Sequence, residues 1–105
     1  MKSPNDFDLN SAQLKPYLKS MIEKLPNAPK LIMQTLSTRD WNKEDLSINS
    51  RVRRGELNYA ILWLEALGLV KYTQSGRQKL YGITPLGEQA YEDFREIFMS
   101  LKEEE

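Results

Sequence analysis

The sequence predicts a mostly helical α+β domain in which a series of helices leads into a β-hairpin and then one further helix. Three observations predict it. In the stretch from Leu57 to Val70, Leu57, Ala60, Ile61, Leu64 and Leu67 recur at helical spacing. Gly68 then offers the left-handed residue that commonly ends a helix, and Leu69 and Val70 begin an extended run at once. Val70–Thr73 and Lys79–Ile83 read as two short strands around the turn Gln74-Ser75-Gly76-Arg77-Gln78, with Gly76 available for a positive φ. Finally, Thr84 followed by Pro85 has the form of a helix start, a hydroxyl cap and then a proline at the first helical position.

Composition narrows the function classes. The 105 residues make one domain's worth of chain, and 40% hydrophobic with 29% charged residues fits a soluble globular protein. No apolar run approaches the roughly 20 residues that span a bilayer. The opening Met1–Asp8 lacks the apolar core of a secretory signal, so a cytoplasmic protein with no membrane partner is expected. There is no cysteine, hence no disulfide and no thiolate metal site. There is no histidine either, which removes imidazole bases, catalytic triads and the usual zinc sites. The acids fall mostly on faces expected to be exposed. Neither an enzyme nor a metal or cofactor site is expected.

The net charge of zero conceals a segregation. Residues 39–81 carry eight basic and five acidic side chains, whereas residues 82–105 carry two basic and seven acidic ones. A basic middle followed by an acidic end hints at an anionic partner for the middle.

In chain order, residues 1–10 lack periodicity and read as a loosely held tail. Leu14, Leu18, Ile22 and Leu25 mark a helix over residues 14–25, with Pro16 in its first turn. Pro26 and Pro29 close it, and Pro29 opens a second helix burying Leu31, Ile32 and Leu36. Asn42 is an N-cap with Asp45 three residues on, so a helix of barely two turns follows, burying Leu46 and Ile48. Residues 49–55 form the turn into the Leu57–Leu67 helix, which could begin as early as Arg51. After the hairpin one helix runs over residues 85–102, with a broad apolar stripe of Tyr91, Phe94, Ile97, Phe98 and Leu101.

At this point the chain resembles a winged helix-turn-helix, a three-helix core plus a two-stranded β-wing spanning residues 29–84, here with one helix added at each end. The residues carrying the likeness are Leu64-Glu65-Ala66-Leu67-Gly68-Leu69-Val70 and, after the wing, Tyr81-Gly82-Ile83-Thr84-Pro85-Leu86-Gly87. Small prokaryotic regulators of the MarR and PadR types carry a similar leucine-x-x-x-glycine-leucine-valine run, followed after the wing by an aliphatic-threonine-x-x-glycine signature. The resemblance implies a DNA-binding transcriptional regulator. The helix from about Gly55 to Leu67 would lie in the major groove of double-stranded DNA, with the wing reaching a neighbouring groove or phosphate. Residue by residue it nominates Arg53, Arg54, Asn58 and Tyr59 at the helix start and Arg77 with Lys79 on the wing, with Arg51 and Lys71 adding phosphate contacts.

Two readings compete for the helix itself. Its core face centres near Leu64, leaving Tyr59, Leu62 and Ala66 outward with Trp63 at the border, and its only internal charges are Glu56 and Glu65. That surface suits a protein partner as well as DNA, so docking through Tyr59, Leu62 and Trp63 is the alternative. The terminal helices offer more apolar surface than a minimal winged domain covers. A homodimer through Tyr91, Phe94, Phe98 and Leu101 is therefore expected, which implies a two-fold DNA site.

Overall fold

The structure, a computed structural model, describes residues 14–103. The tail expected over residues 1–10 and the last two glutamates lie outside the described residues. The elements are α1 (Leu14–Glu23), α2 (Asn27–Leu36), α3 (Lys43–Ser50), α4 (Arg54–Ala66), β1 (Val70–Ser75), β2 (Gln78–Ile83), α5 (Pro85–Asp93) and α6 (Arg95–Met99). The strands pair antiparallel from Val70 opposite Ile83 out to Ser75 opposite Gln78, so Gly76 and Arg77 alone make the hairpin loop. Gly76 has φ +62° whereas Arg77 stays at negative φ, the pattern of a type II′ turn, whose first central position favours glycine.

The core gathers around α2, which packs against α4, α3, α6 and β2. It contributes Ile32, Met33 and Leu36, and these meet Leu57, Ala60, Ile61 and Leu64 of α4, all buried as the spacing requires. Leu18 and Ile22 of α1 and Leu46 of α3 also lie in the interior. Asn42 caps α3 by accepting from the Asp45 backbone N–H at 2.8 Å, as expected.

The end of α4 is locked twice. The Gly68 N–H donates to the Glu65 carbonyl and the Leu69 N–H to the Leu64 carbonyl, with Gly68 at φ +78°. This left-handed glycine closure satisfies carbonyls that a helix end otherwise orphans. Thr84 then joins that end to α5. Its hydroxyl donates to the Gly68 carbonyl at 2.6 Å and accepts from the Gly87 N–H at 2.9 Å, while its own N–H donates to the Leu69 carbonyl at 3.0 Å. Gly87 must be glycine for the helix to come this close, because a Cβ there would run into the Leu69 carbonyl oxygen.

A second joint holds the other end of the chain. Asn27, Lys30 and Gln34 lie at i, i+3 and i+7 on α2, hence on one stripe. The Asn27 amide donates to the Lys102 carbonyl and accepts from the Lys102 N–H, both at 2.6 Å. The Lys30 ammonium donates to the Ser100 carbonyl at 2.8 Å and the Gln34 amide to the Phe98 carbonyl at 2.9 Å. Alternate carbonyls of the last segment thus meet one side of α2.

Several expectations need correction. The single C-terminal helix is two, broken at Phe94 (φ −119°, ψ 29°), and the break turns the chain so that Phe98 enters the core and the segment after it lies along α2. Phe94 and Phe98 are interior side chains of this chain, whereas Tyr91 is half-buried against Phe98 and Leu101 is exposed. Ile48 is exposed: two residues from buried Leu46, it falls on the opposite side of the helix. Helix α2 starts at Asn27 and places Pro29 at its third position, still within the first turn where a missing N–H costs nothing. The turn before α4 shrinks to Arg51, Val52 and Arg53, because α3 continues through Ser50. The hairpin also gains a partner, since Trp41 exchanges both backbone hydrogen bonds with Tyr81 at 3.0 and 2.8 Å.

Candidate nucleic-acid interface

The three arginines before α4 occupy distinct backbone settings. Arg51 ends α3 in the left-handed region at φ 62°, an uncommon place for a side chain, and is exposed. Arg53 is the N-cap residue of α4 without a side-chain cap; it reaches Glu56 at 3.4 Å instead, and its side chain remains 88% exposed. A pair so exposed holds its arginine weakly, leaving it free to exchange Glu56 for a stronger anion. Arg54 is the first residue of the helix, and Val52 beside it is buried, which fixes the turn.

The wing lies next to this entrance. Arg54 and Lys79 line one open cleft of about 350 Å³ together with Asn42, Lys43, Gln78 and Tyr81. Glu44 is the acid on its wall. Lys79 lies over the Tyr72 ring, 4.5 Å from its centre, and Lys43 lies 5.8 Å from that of Tyr81. Such stacking steadies long cationic side chains while leaving the heads open. Arg77 stands at the hairpin tip and Lys71 on β1, both exposed. Burial, with the charge of Glu65 and the neighbouring Tyr72, pushes the Tyr81 phenol pKa above its ordinary 10.0, so this wall of the cleft stays neutral.

The outward side of α4 continues from the cleft as Asn58, Tyr59, Leu62 and Trp63. Tyr59 is 50% exposed, Leu62 66% and Trp63 40%, the two rings meeting edge to face with centres 6.1 Å apart. Of the nominated residues, the fold thus brings Arg54 and Lys79 together, keeps Arg53, Asn58 and Tyr59 beside them, and sets Arg77 apart at the tip. Sequence reasoning passed over Lys43. An Asn42 cap makes residue 43 the first of a helix, but its place beside the wing is set by tertiary packing. Among the described residues, no group of His, Cys, Asp and Glu could hold a metal ion, and no helix is long and apolar enough to cross a membrane.

No protein-family model and no curated protein sequence matches the chain. Solved structures do. The chain is similar to a MarR-family transcriptional regulator from Silicibacter pomeroyi at 22% identity and a TM-score of 0.64, covering 81% of this chain and 64% of that one. It is similar to NadR in complex with 4-hydroxyphenylacetate at 19% identity and a TM-score of 0.65, covering 93% and 78%. It is also similar to the homodimeric winged helix-turn-helix DNA-binding domain of a possible ArsR-family transcriptional regulator from Mycobacterium bovis, at 16% identity and a TM-score of 0.63, covering 92% and 88%. The fold is a winged helix-turn-helix of the kind found in MarR and ArsR regulators. The chain spans less than two-thirds of the length of the Silicibacter protein.

Proposed function

We propose that this protein is a DNA-binding transcriptional regulator, without catalytic activity, that engages duplex DNA through α4 and the wing. The observation that carries the reading is the shared cleft: Arg54 at the start of α4 and Lys79 of the wing face one open space, with Lys43 on its third side. Phosphates on the rim of a major groove are the anions such a cleft suits, and Arg53, Arg77 and Lys71 extend the same charge outward. The similarity to MarR-family and ArsR-family regulators supports it. On this reading the protein works in the cytoplasm.

A homodimer belongs to the same reading. Its interface would use the exposed apolar side chains Tyr17 of α1, Met99 of α6 and Leu101 just beyond it, with half-buried Tyr91, rather than the interior phenylalanines. The acids of α5 and α6, Glu88, Glu92, Asp93 and Glu96, would keep that end away from phosphate.

The test is duplex binding measured at several salt concentrations. The logarithm of the affinity should fall linearly with the logarithm of the salt concentration. Arg53→Ala/Arg54→Ala should reduce that slope by about two, near one for each phosphate left without its arginine. Absence of any salt-dependent binding by the wild type overturns the reading. Light scattering tests the dimer, and a monomer at high concentration excludes it.

A further inference from the structure

From the outward face of α4 we infer that the base-reading surface is an apolar one that selects thymine through its C5-methyl group, with adenine read beside it by Asn58. The inference rests on the DNA-binding reading and adds to it the chemistry of the site that is read. Guanine is recognised in the major groove chiefly by arginine or lysine, whose donors meet its two acceptors. After Arg54 the chain carries no arginine or lysine until Lys71, beyond the end of α4. The helix body therefore has no guanine reader.

What it does present is ordered. Asn58 and Tyr59 stand one turn into the helix and Leu62 and Trp63 one turn further, all exposed, while Leu57, Ala60, Ile61 and Leu64 between them are buried. Asparagine matches the donor and acceptor of adenine, and apolar side chains match the thymine methyl, the one apolar group on a major-groove edge. The neighbouring charge fits the same occupant. Arg53 and Arg54 precede the apolar strip, and Lys79 with Lys71 lies on the adjoining wing, so cationic groups meant for phosphate border a centre free of cations. Glu56, the acid at the helix start, lies before the apolar strip and is paired only weakly with Arg53.

The experiment selects binding sites from a random duplex pool with the full chain, then compares the selected site with the same duplex carrying uracil in place of thymine. That exchange removes only the methyl groups and keeps every hydrogen-bonding edge. The selected sites should be rich in A·T pairs, and uracil substitution should weaken binding by about fourfold for each methyl buried. Leu62→Ala should close most of the gap between the two duplexes while leaving the salt slope unchanged. Leu62 is exposed, so the variant folds, and its melting temperature verifies that. Equal affinity for both duplexes, with salt-dependent binding retained, overturns the thymine inference and leaves the DNA reading standing. Absence of salt-dependent binding to any duplex overturns both and gives the apolar strip to a protein partner.

Discussion

The protein fastens its chain in two places, and the two joints are built on opposite principles. Where α4 meets α5, the parts are Gly68, Thr84 and Gly87, and the closeness comes from the absence of side chains: backbone lies against backbone, with one hydroxyl serving both helices. Where α2 meets the last segment, three long polar side chains reach out to carbonyls 64 to 75 residues away in sequence. The first joint has little slack, since all but the Thr84 hydroxyl in it is backbone. The second is adjustable, because asparagine, lysine and glutamine can shift by rotating single bonds. Rigidity at the first joint fixes the end of α4, the root of the wing and α5 relative to one another, whereas the last segment is held by the more adjustable joint.

Mutation can break this contrast. Gly87→Ala should cost the most, about 3 kcal/mol or more, because the new methyl meets the Leu69 carbonyl and Ile83 with no flexible end to yield. In thermal unfolding that is a fall in Tm on the order of 15 °C. Thr84→Val keeps the shape but removes the cap and the bond to Gly68, so about 2 kcal/mol should be lost in denaturant unfolding. If instead it proves neutral, the hydroxyl does not couple the helices. Asn27→Ala deletes both hydrogen bonds to Lys102 at an exposed site, and a loss of about 1 kcal/mol is expected in denaturant unfolding.

The smallest effect concerns pH. Burial, and secondarily the charge of Lys102, holds the Lys30 ammonium below its ordinary pKa of 10.5. The unfolded chain therefore binds this proton more tightly, and the contribution of Lys30 to stability rises as pH climbs through the folded value toward 10.5. Tyr81 works in the opposite sense, since its raised pKa gives stability that is lost as pH rises past 10.0. Comparing wild type with Lys30→Met across this range isolates the lysine: the difference should move in favour of wild type as pH increases.

Most of the first joint was legible in the sequence, and almost none of the second. Gly68 and Thr84 act on residues within about five positions of themselves, so their chemistry can be read from local spacing. That the two motifs interlock through one hydroxyl is tertiary and was not legible. Asn27, Lys30 and Gln34 read as ordinary polar residues of a helix, since nothing in α2 announces the carbonyls they meet. The break at Phe94 was hidden for a related reason. No glycine or proline marks it, and the apolar spacing of Tyr91, Phe94 and Phe98 suits one continuous helix as well as a bent pair. In the interface, the arginines before α4 were legible because charge clusters are local. Lys43 came into view only when α3 was set beside the wing.

The Trp41–Tyr81 pairing carries a consequence for the wing as a moving part. Tyr81 is clasped on both sides, by Trp41 and by Tyr72, whereas beyond it, among the described residues, β1 and β2 make ladder pairs only with each other for the three residue pairs out to the tip. That makes an unbraced lever of about 10 Å, at roughly 3.4 Å per residue. Its root amides should resist solvent exchange while those near Gln78 exchange quickly. On the proposed DNA-binding reading, Arg77 at the free end reaches a phosphate by bending of the hairpin while the base of the wing stays still.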